Sequence, residues 1–106
     1  MRDQDTLEML RAELDRIDAE FLAALGARVD ECRSIAYYKR EHGVPMMQPH
    51  RIGVVQQRAA RFAEANGLDL TFMKRLYDLI IGETCRIEDL IISDLNTADT
   101  SDGSAA

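Results

Sequence analysis

Glycine and proline are scarce in this chain, six and two residues in 106, and strand-type alternation of apolar and polar residues is hard to find. Those shortages argue against a turn-rich β architecture and favour an all-α class. No apolar run approaches the ~18 residues of a membrane span, and the acidic opening "MRDQDTLE" is unlike a secretory leader. Cysteine occurs twice, at Cys32 and Cys85, with no metal or redox spacing and no neighbouring His or Cys cluster. Both read as buried thiols of a reducing cytoplasm. Positive charge is also in short supply, 13 cations against 19 acidic residues for a net charge of −6, which argues against a nucleic-acid partner. A bound anion must therefore be held by a few cations gathered locally. No internal repeat is visible, and neither a metal nor a cofactor is expected.

What the chain does contain is helical periodicity. Its 46% hydrophobic residues suffice for one domain with a modest core. Apolar residues recur at Leu7, Leu10, Leu14, Ile17, Phe21, Leu25, Val29, Cys32 and Ala36, in steps of three and four. A first helix is expected from Asp5 or Thr6 to about Glu41, with Gly43 as its stop. Its ~50 Å length exceeds what a compact domain of this size needs, and a partner chain is the simplest cover for the apolar stripe. A second helix starts near Pro49 and carries Ile52, Val55, Ala59 and Phe62 on its apolar face. Asn66 and Gly67 end it, and Asp69 caps a third helix from Leu70 to about Asp94. That third helix is apolar on more than one side, as an interior helix is. Residues 1–95 form the expected domain, and 96–106, "NTADTSDGSAA", read as a disordered tail.

Arg33, Arg40, Arg58, Arg61, Lys74 and Arg86 read as cations on solvated faces. Arg28 and Lys39 are less ordinary, because eleven residues of helix leave only about 20° between them and ~16 Å along the axis. Two long side chains leaning inward can close that gap around a small anion. Glu88 shares a stripe with Tyr77, Ile81, Thr84 and Ile92, where a carboxyl is costly unless paired or protonated. It reads either as a structural ion pair with a nearby arginine or as a hydrogen-bonding group facing a pocket beside Thr84. Arg11 lies about 25 Å from Arg28 along the same helix. Only an antiparallel partner helix can bring a second Arg11 to Arg28, which suggests a dimer with two shared pockets.

The segments "LRAELDRIDAEFLAALGARVDECRSIAYYKREHGVP" and "RLYDLIIGETCRIED", with Arg51 between them, resemble the all-α chorismate mutase family from Leu7 to Ile92. The resemblance implies an intertwined homodimer of three-helix chains that rearranges a small dicarboxylate by a [3,3] Claisen reaction, without nucleophile, metal or cofactor. By resemblance, Arg28 and the partner subunit's Arg11 hold the two carboxylates. Lys39 donates to the enolpyruvyl ether oxygen and a carboxylate, and Glu88 donates to the same ether oxygen. Thr84 touches a carboxylate, and Arg51 shapes the rim. The family commonly has carboxylates where this chain has Gln48 and Ile52, and there they receive the C4 hydroxyl of chorismate. The stretch "MMQPHR" resembles the branch acting on 4-amino-4-deoxychorismate. Electrostatics alone would give a C4 amine a carboxylate rather than Gln48, so this expectation is carried by resemblance. Chorismate itself as substrate, a pyruvate lyase acting on isochorismate, and a non-catalytic helical dimerisation module are the competing readings. The module reading has to accommodate Arg28, Lys39 and Glu88 beside apolar stripes, where a dimer interface would place Leu or Ala.

Overall fold

In a computed structural model, the chain forms three helices, α1 (Asp3–His42), α2 (Pro49–Ala65) and α3 (Leu70–Thr100). The structure describes residues 3–46 and 48–100, with side chains through 93. Met47 and the end of the tail, 101–106, lie outside the described residues. The chain divides into two compact units, residues 1–31 and 32–106.

Helix ends follow local chemistry. Asp3 and Asp5 sit in the first turn of α1, where carboxylates complement the dipole, and Lys39, Arg40 and His42 occupy its last turn. The start precedes the expected Asp5 or Thr6, because nothing in "DQDT" opposes another helical turn. Gly43 then takes a left-handed φ of 66°, and the Val44 amide donates to the Lys39 carbonyl at 2.8 Å. This is the glycine-dependent helix stop. The same device ends α2, with Gly67 at φ 69° and the Leu68 amide on the Ala63 carbonyl at 2.9 Å. Asp69 caps α3 as expected, its Oδ2 accepting from the Phe72 amide at 2.8 Å. Pro49 stands in the first turn of α2.

Two expectations about α3 need correction. Its helix continues past Asp94 to Thr100, since no proline or glycine interrupts 83–100 and Ala98 favours helix. Nor is α3 an interior helix of one chain. Met73 is buried, but Leu70, Phe72, Leu79 and Leu90 are exposed. The physical reason lies in the packing available, because α2 covers one face only, through a small core of Ala59, Ala63 and Met73 with Leu76 and Tyr77 against it. Phe62, expected on the apolar face of α2, is likewise exposed. A cavity of about 400 Å³ on unit 32–106 is lined by Gly53, Gln56, Ala60, Leu70, Lys74 and Tyr77. In unit 1–31, Leu7, Leu10, Leu14, Ile17 and Phe21 form the apolar stripe read from the sequence, and all of them are exposed.

Candidate active site

Within unit 32–106 the structure joins two of the expected residues directly. Lys39, at the end of α1, places its Nζ 3.2 Å from Oε1 of Glu88 on α3. The pair is well enclosed, with side chains 14% and 11% exposed. Coulombic attraction in such a place is offset by lost hydration, so the pair is a poor source of net stability, yet removing one member strands the other. The partner of Glu88 is thus a lysine, where the sequence reading allowed for an arginine. The Lys39 ammonium also donates to the Met46 carbonyl at 2.8 Å. An ammonium has three N–H donors, so two acceptors leave one for another oxygen.

Thr84 lies one helical turn before Glu88 and is buried. Its hydroxyl donates into its own helix, 3.1 Å from the carbonyls of Ile80 and Ile81. Donation to a substrate carboxylate therefore requires the hydroxyl to rotate out of that bond, whereas its lone pairs can accept from a donor as it stands. Beside it, burial pushes the Cys85 thiol up from its ordinary value. The neighbouring Glu88 carboxylate and Cys32 add to this shift, and Lys39 opposes it. Cys85 is accordingly a neutral thiol near pH 7 and a weak nucleophile.

The entry to α2 carries three more candidates. Gln48 precedes the helix, its carbonyl accepting from the amides of Arg51 and Ile52 at 2.9 and 3.2 Å. Its side chain does not cap the helix but reaches back, with Nε2 donating to the Pro45 carbonyl at 3.4 Å. That bond uses one of the two amide N–H donors and leaves the amide oxygen to accept. Arg51 is exposed and Ile52 half-buried.

Arg11 and Arg28 belong to unit 1–31, both on the uninterrupted helix α1. Arg28 is half-buried, whereas Arg11 is exposed and donates to Glu8 one turn away at 3.0 Å. Continuity of the helix fixes their separation at about 25 Å. The sequence reading missed one participant, the Met46 carbonyl. Its signal was present in the glycine and proline of "HGVPM", which turn the backbone sharply and orient its carbonyls. Among the described residues, no group of three or more His, Cys, Asp or Glu is placed to hold a metal, and no helix is long and apolar enough to cross a membrane.

The family model for chorismate mutase type II matches residues 10–89, a span that contains all eight candidate residues. The chain belongs to the chorismate mutase type II family. A 4-amino-4-deoxychorismate mutase of Streptomyces venezuelae is 52% identical over 93 residues, covering 88% of this chain and 90% of that protein. A second 4-amino-4-deoxychorismate mutase, from Streptomyces pristinaespiralis, is 55% identical over 85 residues, 80% of this chain and 66% of the relative. An isochorismate pyruvate lyase of Pseudomonas aeruginosa is 37% identical over 73 residues, 68% of this chain and 70% of that protein. No solved structure matches the chain.

Proposed function

We propose that the chain is an isomerase converting 4-amino-4-deoxychorismate to 4-amino-4-deoxyprephenate. The likeness to two mutases of that printed activity, at 52% and 55% identity, carries this reading. The reaction is intramolecular: the bond between the ring carbon and the ether oxygen breaks as the enolpyruvyl methylene forms a new C–C bond to the ring, and the enol carbon becomes a ketone. It needs no redox partner and no proton transfer. It does need a compact conformer and donors at the ether oxygen, where negative charge grows. The enclosed Lys39–Glu88 pair suits that role, since an ammonium already fixed by two acceptors reorganises little when the charge appears.

Arg28 takes one substrate carboxylate, and Arg11 of the partner subunit takes the other. A homodimer is required by this assignment, because two arginines about 25 Å apart on one helix cannot grip one small molecule. The exposed stripe from Leu7 to Phe21 and the thin core supply the driving force for association. Arg51 and Thr84 border the carboxylates, while Gln48 and Ile52 face the C4 substituent. The Gln48 amide oxygen accepts from a C4 amine, and Ile52 brings no second acceptor.

The test is turnover of purified protein on chorismate, its 4-amino analogue and isochorismate. The 4-amino substrate is expected to give the highest kcat/KM. Installing Gln48→Asp with Ile52→Glu should raise the chorismate-to-amino ratio by about tenfold, a shift of ~1.4 kcal/mol between the two transition states. Fastest release of pyruvate from isochorismate would instead favour lyase activity, the printed activity of the Pseudomonas relative.

Glu88 has its own test. As the carboxylate paired with Lys39, Glu88 only accepts; it donates to the ether oxygen only if it takes up a proton when substrate binds, whereas a glutamine donates without one. Glu88→Gln is therefore expected to keep turnover within about threefold of wild type. Glu88→Leu, similar in bulk but without a donor, should lose at least about a hundredfold, the scale of one preorganised donor. Equal activity of the two variants would make Glu88 only a structural partner of Lys39.

A further inference from the structure

The connection between α1 and α2 binds Lys39 at both of its ends. The Val44 amide donates to the Lys39 carbonyl at 2.8 Å, and the Lys39 ammonium donates to the Met46 carbonyl at 2.8 Å. Only Pro45 separates those contacts along the chain, so the segment closes on the lysine as a clasp. The geometry depends on Gly43, whose φ of 66° reverses the chain immediately after His42. Pro45 then has a fixed φ and holds Val44 extended, which limits where the Met46 carbonyl can point. Without that carbonyl, a flexible four-carbon stem would be held by Glu88 alone, through the longer contact of 3.2 Å.

We propose that Gly43 is a positioning residue for catalysis. By turning the connection back, it places the Met46 carbonyl on the Lys39 ammonium, so that the third N–H of Lys39 is aimed at the substrate. The proposal rests on the reading above that Lys39 is the ether-oxygen donor. It goes beyond that reading by giving a task to a residue that touches no substrate.

Side-chain space at Gly43 is open, since an added Cβ would meet no atom within 4 Å outside its own immediate neighbours. Alanine there is opposed only by the backbone conformation, which non-glycine residues avoid and asparagine tolerates. Gly43→Ala should therefore relax the turn and withdraw the Met46 carbonyl, while Gly43→Asn should keep both in place. The chain has two lysines, Lys39 and Lys74, and Lys74 is exposed and serves as an internal reference. Trace acetylation of the full-length protein with acetic anhydride, read by peptide mass spectrometry, reports how firmly each amine is held. The Lys39-to-Lys74 labelling ratio is expected to rise at least about threefold in Gly43→Ala and to stay near wild type in Gly43→Asn. In parallel, kcat should fall about tenfold in Gly43→Ala with KM within about twofold, and recover in Gly43→Asn, as misaiming of one donor predicts.

An unchanged labelling ratio in Gly43→Ala overturns the clasp. A raised ratio with unaltered kcat in an active enzyme overturns its catalytic task, and equal impairment of the two variants reduces Gly43 to a folding requirement. Wild-type protein that turns over no chorismate-class substrate would defeat the functional reading and with it the catalytic task. The labelling ratio would then still decide whether Gly43 holds Lys39.

Discussion

Lys39→Ala is expected to lower turnover by at least about a hundredfold, because in the proposed mechanism it removes a preorganised donor worth roughly 3–4 kcal/mol in the transition state. The enclosed pair adds a second effect. With the ammonium gone, Glu88 stays in a site 11% exposed, without its cation. Stability should therefore fall as well, on the order of 3 kcal/mol, as when one member of a buried pair is deleted. The double variant Lys39→Ala with Glu88→Gln separates the two effects. Its neutral amide needs no cation, so melting should recover most of the loss while turnover stays low. Thermal melts and steady-state kinetics on wild type and the two variants decide the matter. Recovery of turnover in the double variant would mean that Lys39 serves only to neutralise Glu88.

The second large effect concerns the arginines of α1. If the proposed shared site is right, Arg11→Ala and Arg28→Ala should each abolish measurable turnover, since each would then remove a carboxylate grip from every site. Unfolding a mixture of the two and refolding it should restore activity, because a heterodimer carries one site with both arginines intact and one with neither. With random pairing, half of the dimers are mixed, so about a quarter of the wild-type sites should return. A mixture as inactive as its parents would rule out a site shared between subunits. Loss of Arg11 should cost little stability. Arg11 pairs with Glu8 at the surface, and surface pairs of this kind contribute at most ~1 kcal/mol.

The fold was legible in the sequence wherever local chemistry decides it. Gly43, Gly67, Pro49 and Asp69 mark helix boundaries through backbone conformation or capping, which neighbouring residues alone determine. The end of α3 is not legible from polarity, because "DLNTADT" is polar yet contains neither glycine nor proline to stop a helix. The exposure of Leu79 and Leu90 was not legible either, since an apolar side chain has the same periodicity whether its own chain or another covers it. At the site, the stripe spacing singled out Glu88, and helical register singled out Lys39. Their mutual contact spans 49 residues of sequence and follows from the packing of whole helices, which no local pattern encodes. Neither Thr84 bonding into its own helix nor the Met46 carbonyl reaching Lys39 could be read before the backbone was placed.

The short turn from Asn66 to Asp69 has a consequence for how the chain acquires its structure. It joins α2 to α3 through a glycine stop and an aspartate cap, and the core they bury, Ala59, Ala63 and Met73, is close in sequence. Closing so small a loop takes on the order of 10–100 ns, and helices form on a similar or slightly slower scale. This hairpin can therefore appear within microseconds from a single chain, its rate independent of protein concentration. In the proposed homodimer the exposed stripe from Leu7 to Phe21 gains its cover by encounter with a second molecule, and a bimolecular step slows with dilution. Folding of this small helical protein should thus run in two phases, an early one set by the glycine turn and a later one set by concentration.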